Sequence, residues 1–182
     1  ILYRLVGSEM CIRDREGTGI VISSLGHILT ASHVVKKAKS IEIRDINGNK
    51  FIAKLILDDP NTDLAIIKAE INITPINISK DKPKIASSAC LISNSFGLDL
   101  GITCGVVSAI GRKNTGFNKV ENFVQTDAAA NPGSSGGALV NKNGELIGMM
   151  SGIFTKNTDT NSGVNFAVSS ELILKIIQLE IN

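Results

Sequence analysis

From Glu16 onward the sequence is cut into short β-rich runs divided by turn clusters, a spacing that leaves little room for anything but an all-β body. The runs are GIVIS, ILTA, IEIRDI, KFIAKLIL, LAIIKAE, ACLIS, ITCGVVSAI, NFVQT, ALV, ELIGMMSGIF and VNFAVS, and the breaks between them include SLGH, NGN and NKNG. Strands this short at this interval predict a sandwich or barrel. Asn47-Gly48 and Asn143-Gly144 lie between apolar runs, where a tight hairpin needs residues that accept positive φ, so two local hairpins are expected there. Only the end changes period. In SSELILKIIQLEIN, residues Leu172, Ile173, Ile176, Ile177 and Leu179 recur at helical spacing behind a Ser-Ser-Glu start that can cap a helix. Ser79–Ser88, polar and holding Pro83, is the candidate crossing between two halves.

The first fifteen residues differ in kind. ILYRLVGSEMCIRDR carries three of the chain's five arginines and none of its fourteen lysines, whereas the rest is rich in Lys, Ile and Asn. Residues 1–15 also resemble translated adapter sequence and are set apart as a foreign leader. The net charge is +2 and the 19 Lys and Arg are scattered, so no nucleic-acid partner is expected. No apolar run approaches the roughly 18 residues of a membrane span, and no signal peptide is visible. Cys11, Cys90 and Cys104 form no CxxC pair and the two histidines are far from all but Cys11, so neither a metal nor any other cofactor is expected. Cys90 and Cys104 could face each other across a hairpin, but are read as two small buried hydrophobes.

Chemistry concentrates in Asn131-Pro-Gly-Ser-Ser-Gly-Gly137. Three glycines and two serines between apolar runs imply a tight turn that exposes backbone, in which Gly133 can take angles closed to other residues. Such a turn can aim the N–H groups of Gly133 and Ser135 at one point, as an oxyanion hole requires. GSSGG also fits the nucleophile elbow of α/β-hydrolases, but that fold needs a histidine after the serine, and none follows His33. The order left is His, Asp, Ser. Of the two histidines, His27 opens the run HILTA and is expected on an exposed strand, whereas His33 ends that strand, where a cleft residue belongs. Asp58, Asp59 and Asp63 are all possible partners, and spacing does not choose among them.

The stretches GTGIVISSLGHILTASHVV, DDPNTDLAIIK, SNSFGLDLGITCGVVSAIGR, NFVQTDAAANPGSSGGALVNKNGELIG and GVNFAV, in this order across nearly all of Glu16–Leu179, resemble the protease domain of the HtrA/Deg family. The resemblance implies a chymotrypsin-like double six-stranded β-barrel with a C-terminal helix: residues 16–84 form the first barrel, 85–168 the second and 169–182 the helix; no PDZ domain is expected after it, a departure from the family pattern. It implies a serine endopeptidase acting on unfolded polypeptides, with His33 as base, Asp63 as its orienting acid and Ser135 as nucleophile. Gly133, Ser134 and Ser135 make the oxyanion-hole segment. Ala130, Met149, Met150, Ser151, Gly152, Val164, Asn165 and Phe166 line a pocket of small or apolar character, which implies cleavage after aliphatic residues. Phe96–Gly101 and Arg112–Lys119 are the implied regulatory loops. A periplasmic or otherwise extracytoplasmic setting and a homotrimer are implied as well, although the family trimerises through N-terminal residues that this sequence lacks.

Several positions depart from the family pattern. Ser134 stands for the usual Asn, Ala130 for a larger aliphatic residue and Ser95 for Pro. The strand expected upstream of Gly17 falls in the foreign leader, so the first barrel is expected to be incomplete, with an open edge. The competing reading is a non-catalytic peptide-binding or chaperone module on the same fold.

Overall fold

The computed structural model describes residues 2–8, 15–153 and 162–180. Among these residues are twelve strands, β1 (Leu2–Ser8), β2 (Arg15–Val21), β3 (His27–Ala31), β4 (Ser40–Arg44), β5 (Lys50–Asp59), β6 (Leu64–Lys68), β7 (Ser88–Ser93), β8 (Gly101–Arg112), β9 (Phe123–Thr126), β10 (Ala138–Val140), β11 (Leu146–Ile153) and β12 (Asn165–Ser169), and two α-helices, α1 (Ser32–Val35) and α2 (Ser170–Glu180). The strands close into two six-stranded antiparallel barrels, β1-β2-β3-β6-β5-β4 and β10-β11-β12-β9-β8-β7. The chain passes between them from Lys68 to Ser88. Full closure removes the unpaired edges that a sheet would otherwise present.

The expected open edge in the first barrel is not found. β1 pairs with β2, from Leu2 opposite Ile20 to Gly7 opposite Arg15, and on its other side with β4, from Arg4 opposite Arg44 to Ser8 opposite Ser40. A ladder is built from main-chain N–H and C=O groups. An atypical composition therefore does not stop residues 2–8 from filling a strand position whose two neighbours are already in place.

The hairpins form where Asn-Gly placed them: β4 and β5 meet with Gly48 at φ 85°, and β10 and β11 with Gly144 at φ 76°. Period-two alternation then sorts the core. Along β11 and β12, Leu146, Met149, Phe166 and Val168 pack with the first barrel's Ile20, Leu29, Leu64 and Ile66 and with Ile173 of α2. Their neighbours Ile147, Met150 and Ala167 pack inside the second barrel with Leu91, Val107 and Leu139. With Phe123, Ala138 and Val140 facing the first core and Val124 and Leu139 the second, strands β9 to β12 together form the wall between the two cores.

Cys90 and Cys104 are not separate hydrophobes. They lie opposite each other in the β7–β8 ladder, with Cα atoms 4.1 Å apart, and form a disulfide. The exact cross-strand register was invisible in the sequence, and it decides the matter. The bond closes a loop with a sequence separation of 14 residues. Loop-closure entropy gives such a crosslink about 3 kcal/mol. Cys104→Ser, or reduction of the parent chain, is expected to lower the urea midpoint by a corresponding amount, and the variant's midpoint should no longer respond to reductant.

Candidate active site

Register brings Asp63 and His33, the expected acid and base, together. β3 and β6 pair with Ala31 opposite Leu64, so the residues that follow β3 lie beside the residue that precedes β6. The Ser32 N–H donates to the Asp63 carbonyl at 3.1 Å and the His33 N–H to Asp63 Oδ1 at 2.9 Å. Asp63 has φ 61°, a left-handed conformation that turns its side chain back over the start of α1. His33 Nδ1 lies 2.9 Å from both carboxylate oxygens, and the Ser151 hydroxyl donates to Oδ2 at 2.6 Å. The carboxylate is nearly buried, whereas the imidazole is half exposed. The pair occupies the rim of a cleft bordered by Ser32, Lys36, Pro60, Phe117 and Asn118.

The two other aspartates are engaged elsewhere. Asp58 accepts the Ser32 hydroxyl, and Asp59 caps its own turn by accepting from Asn61 N–H and the Thr62 hydroxyl. His27 departs from its expected exposure. It is buried at the far end of β3, where its Nδ1 lies 2.7 Å from Ser23 Oγ. Burial, and then the positive charge of Lys68, lower its pKa.

The serine turn sits across the seam between barrels. Gly133 has φ 92°, and a Cβ there would collide with the Asn94 carbonyl, so both conformation and space demand glycine. Thr18 of β2 reaches over from the first barrel: its N–H donates to the Ser135 carbonyl at 2.8 Å and its hydroxyl to the Gly133 carbonyl at 3.0 Å. Gly17 permits the approach, since a Cβ there would stand 2.7 Å from Val34 and 3.2 Å from the Ser135 carbonyl. The N–H groups of Gly133 and Ser135 have no partner among the described residues. The Ser135 hydroxyl makes no hydrogen bond to a described residue either, His33 included. Ser134 differs from its expected place. Its N–H closes the turn onto the Asn131 carbonyl at 2.9 Å and its side chain is buried beneath the loop, so it has no donor to offer an oxyanion.

The eight expected pocket residues do not share one surface. Met149 and Met150 are both fully buried but point into different cores, with Phe166 on the Met149 side and Ala130 on the Met150 side. The Ser151 hydroxyl is turned to Asp63. Gly152 lies under the Phe117 ring, which also packs on Phe166 with centroids 5.5 Å apart. Asn165 is buried and donates to the Ala128 carbonyl, and Val164 is half-buried. Asp127, the acid nearest these residues in the chain, is exposed and accepts from the Val106 N–H.

A family model for the trypsin-like peptidase domain matches residues 17–149. The periplasmic serine endoprotease DegP of Salmonella typhimurium is 40% identical over 161 residues, which cover 86% of this chain and 34% of DegP. The periplasmic pH-dependent serine endoprotease DegQ of Escherichia coli is 39% identical over 166 residues, covering 89% and 36%. The solved structure of the HtrA-type protease AlgW with a tripeptide superposes with a TM-score of 0.92 at 36% identity, covering 97% of this chain and 58% of that one. The chain belongs to the HtrA/Deg family of trypsin-like serine peptidases. It spans about a third of the length of its curated DegP and DegQ relatives.

Within this HtrA/Deg domain, Thr18 is the site-building residue that sequence reasoning passed over. Its signal was present: Gly17 and Gly19 flank it inside a strand, and glycines in a strand mark places where another backbone comes close. Thr18→Val keeps the shape but strips the Gly133 carbonyl and the Asn94 N–H of their buried partner. Leaving such groups unpaired is expected to cost about 2–3 kcal/mol, read as a drop in unfolding free energy in urea.

Proposed function

We propose that this HtrA/Deg-type domain is a serine endopeptidase in which His33, Asp63 and Ser135 act as a catalytic triad. The observation that carries the reading is the imidazole of His33 held by Asp63 at 2.9 Å, at a seam where Thr18 fixes the Ser135 turn against the same barrel. In the first step His33 Nε2 takes the hydroxyl proton as Ser135 Oγ bonds to the peptide carbonyl carbon. The carbonyl oxygen becomes an oxyanion, which the N–H groups of Gly133 and Ser135 stabilise. Collapse breaks the C–N bond, and His33 gives its proton to the departing amine. Water, deprotonated by the same imidazole, then attacks the acyl-enzyme, and Ser135 recovers its proton as the carboxylic acid leaves. Asp63 keeps the Nδ1–H tautomer in place throughout, and Ser151 holds Asp63.

Substrates on this reading are unfolded polypeptides with a small aliphatic residue before the cut. That preference rests on the small or apolar residue types at the pocket positions the resemblance implies, and Asp127, the nearby acid, already accepts a main-chain N–H. The curated relatives are named periplasmic, and the Cys90–Cys104 disulfide fits an oxidising compartment, so the domain is assigned an extracytoplasmic setting. No described helix is long and apolar enough to cross a membrane.

A fluorophosphonate probe is expected to label the purified chain at Ser135 and to leave Ser135→Ala unlabelled, because only an activated serine reacts. The same substitution should lower peptide hydrolysis by about 10⁵–10⁶ with the fold intact. Absence of labelling would favour the non-catalytic peptide-binding reading. In a peptide panel, cleavage is expected after Ala or Val, and cleavage mainly after Arg would overturn the assigned preference.

A further inference from the structure

The segment between β8 and β9 is folded around one carboxylate. Glu121 accepts the Thr115 N–H on Oε2 at 2.7 Å, and on Oε1 it accepts the Thr115 hydroxyl at 2.8 Å, the Phe117 N–H at 3.0 Å and the Asn118 N–H at 3.1 Å. Asn114 at φ 58° and Gly116 at φ 85° supply the left-handed turns that swing successive N–H groups inward, so the loop forms an anion nest occupied by its own side chain. Burial alone would raise the Glu121 carboxyl, but the hydrogen bonds from Asn118, Thr115 and Phe117 outweigh it and hold the group below its ordinary range. It is a fixed negative charge at neutral pH.

The outer face of the same loop is fastened to the first barrel. Asn118 Nδ2 donates to the Thr62 carbonyl at 3.1 Å and the Val120 N–H to the Asn61 carbonyl at 2.9 Å. Those two carbonyls immediately precede Asp63, whose left-handed backbone aims its carboxylate at His33. From inside its own barrel the turn is held mainly by Asp59. Glu121 also fixes Phe117 against Phe166 and over Gly152. We propose that Glu121 is a positioning residue for the acid–base pair: it folds the 113–120 loop into the shape that grips the Asn61–Thr62 carbonyls, and so sets the orientation of Asp63 towards His33 from the opposite barrel. This rests on the catalytic reading of His33 and Asp63 given above.

Glu121→Gln removes the charge and sets an NH2 group against the converging N–H donors, without emptying the space. In the intact chain it is expected to lower kcat on an aliphatic-site peptide about 10–100-fold, the scale of a small misplacement of a catalytic group. The low-field proton resonance of His33 Nδ1–H should shift or broaden, and amide exchange at Asn118 and Val120 should quicken. Asn118→Ala keeps the nest and breaks only the Thr62 tether, and is expected to lower kcat about fivefold, as for one lost hydrogen bond. A Glu121→Gln chain with kcat within twofold of the parent and an unmoved His33 resonance overturns the proposal. Should Glu121→Gln not fold, the Asn118→Ala resonance decides in its place, and no change there overturns the proposal. A parent chain inert to fluorophosphonate would instead sink the catalytic reading, while the resonance and exchange measurements would still settle whether Glu121 orients Asp63.

Discussion

Thr18 is the point on which the arrangement of the two barrels turns, because every hydrogen-bonding group it owns is committed across or beside the seam. Its N–H reaches the Ser135 carbonyl, and its hydroxyl donates to the Gly133 carbonyl while accepting from the Asn94 N–H. Its own carbonyl accepts from the Thr30 hydroxyl. The residue is wholly buried, so each of these groups would be expensive to leave unpaired. A hydrophobic seam can slide by fractions of an ångström at small cost, whereas directed bonds to two carbonyls of the serine turn and to the Asn94 N–H fix rotation as well as distance. The interface therefore combines the shared apolar wall of β9 to β12 with directed polar bonds, those of Thr18 beside those of Ser151, Asn118 and Val120, that fix the register.

The His33–Asp63 pair depends on the same logic of register at one remove. Ala31 opposite Leu64 is an ordinary rung of the β3–β6 ladder, yet it alone determines that a residue at the start of α1 meets the residue before β6. Slipping that ladder by one residue would send every side chain of β6 to the other face and part His33 from Asp63 together. Fold stability and site geometry are the same set of contacts here, and this is why the polar residues of the site can be few: the barrels carry the cost of ordering them.

How far the sequence could be read follows from which interactions are local. The strand runs, the two Asn-Gly hairpins and the terminal helix depend on neighbours in the chain, and their signals were plain. His33 and the Ser135 turn stood out because their residue types are rare or distinctive in that setting. The choice of Asp63 over Asp58 and Asp59 could not be made from spacing, since it depends on φ at Asp63 and on the helix start that receives its carboxylate. Cross-strand pairing of Cys90 with Cys104 depends on register, and the sequence carried no mark of it. Residues 2–8 misled for the opposite reason: composition flagged them as alien, but strand pairing reads main chain, and a foreign origin and a structural part are not exclusive. Ser151, expected to line a pocket, proved to hold Asp63, because β11 twists through a bulge between Met150 and Gly152 that period-two counting cannot anticipate.

Ser95 and Ser134 are 39 positions apart in the chain, and their hydroxyl oxygens lie 2.9 Å from each other. Ser134 Oγ accepts from the Ser93 hydroxyl and from the Asn131 N–H, each at 3.1 Å, which fills its two acceptor sites and leaves its proton for Ser95. Because Phe96, the next residue, donates its N–H to the Pro132 carbonyl, this small hydroxyl cluster ties the 94–97 turn to the serine turn from below while Thr18 ties it from the side. The Ser135 main chain is gripped on two faces, and the face left open is the one on which the N–H groups of Gly133 and Ser135 meet no partner among the described residues.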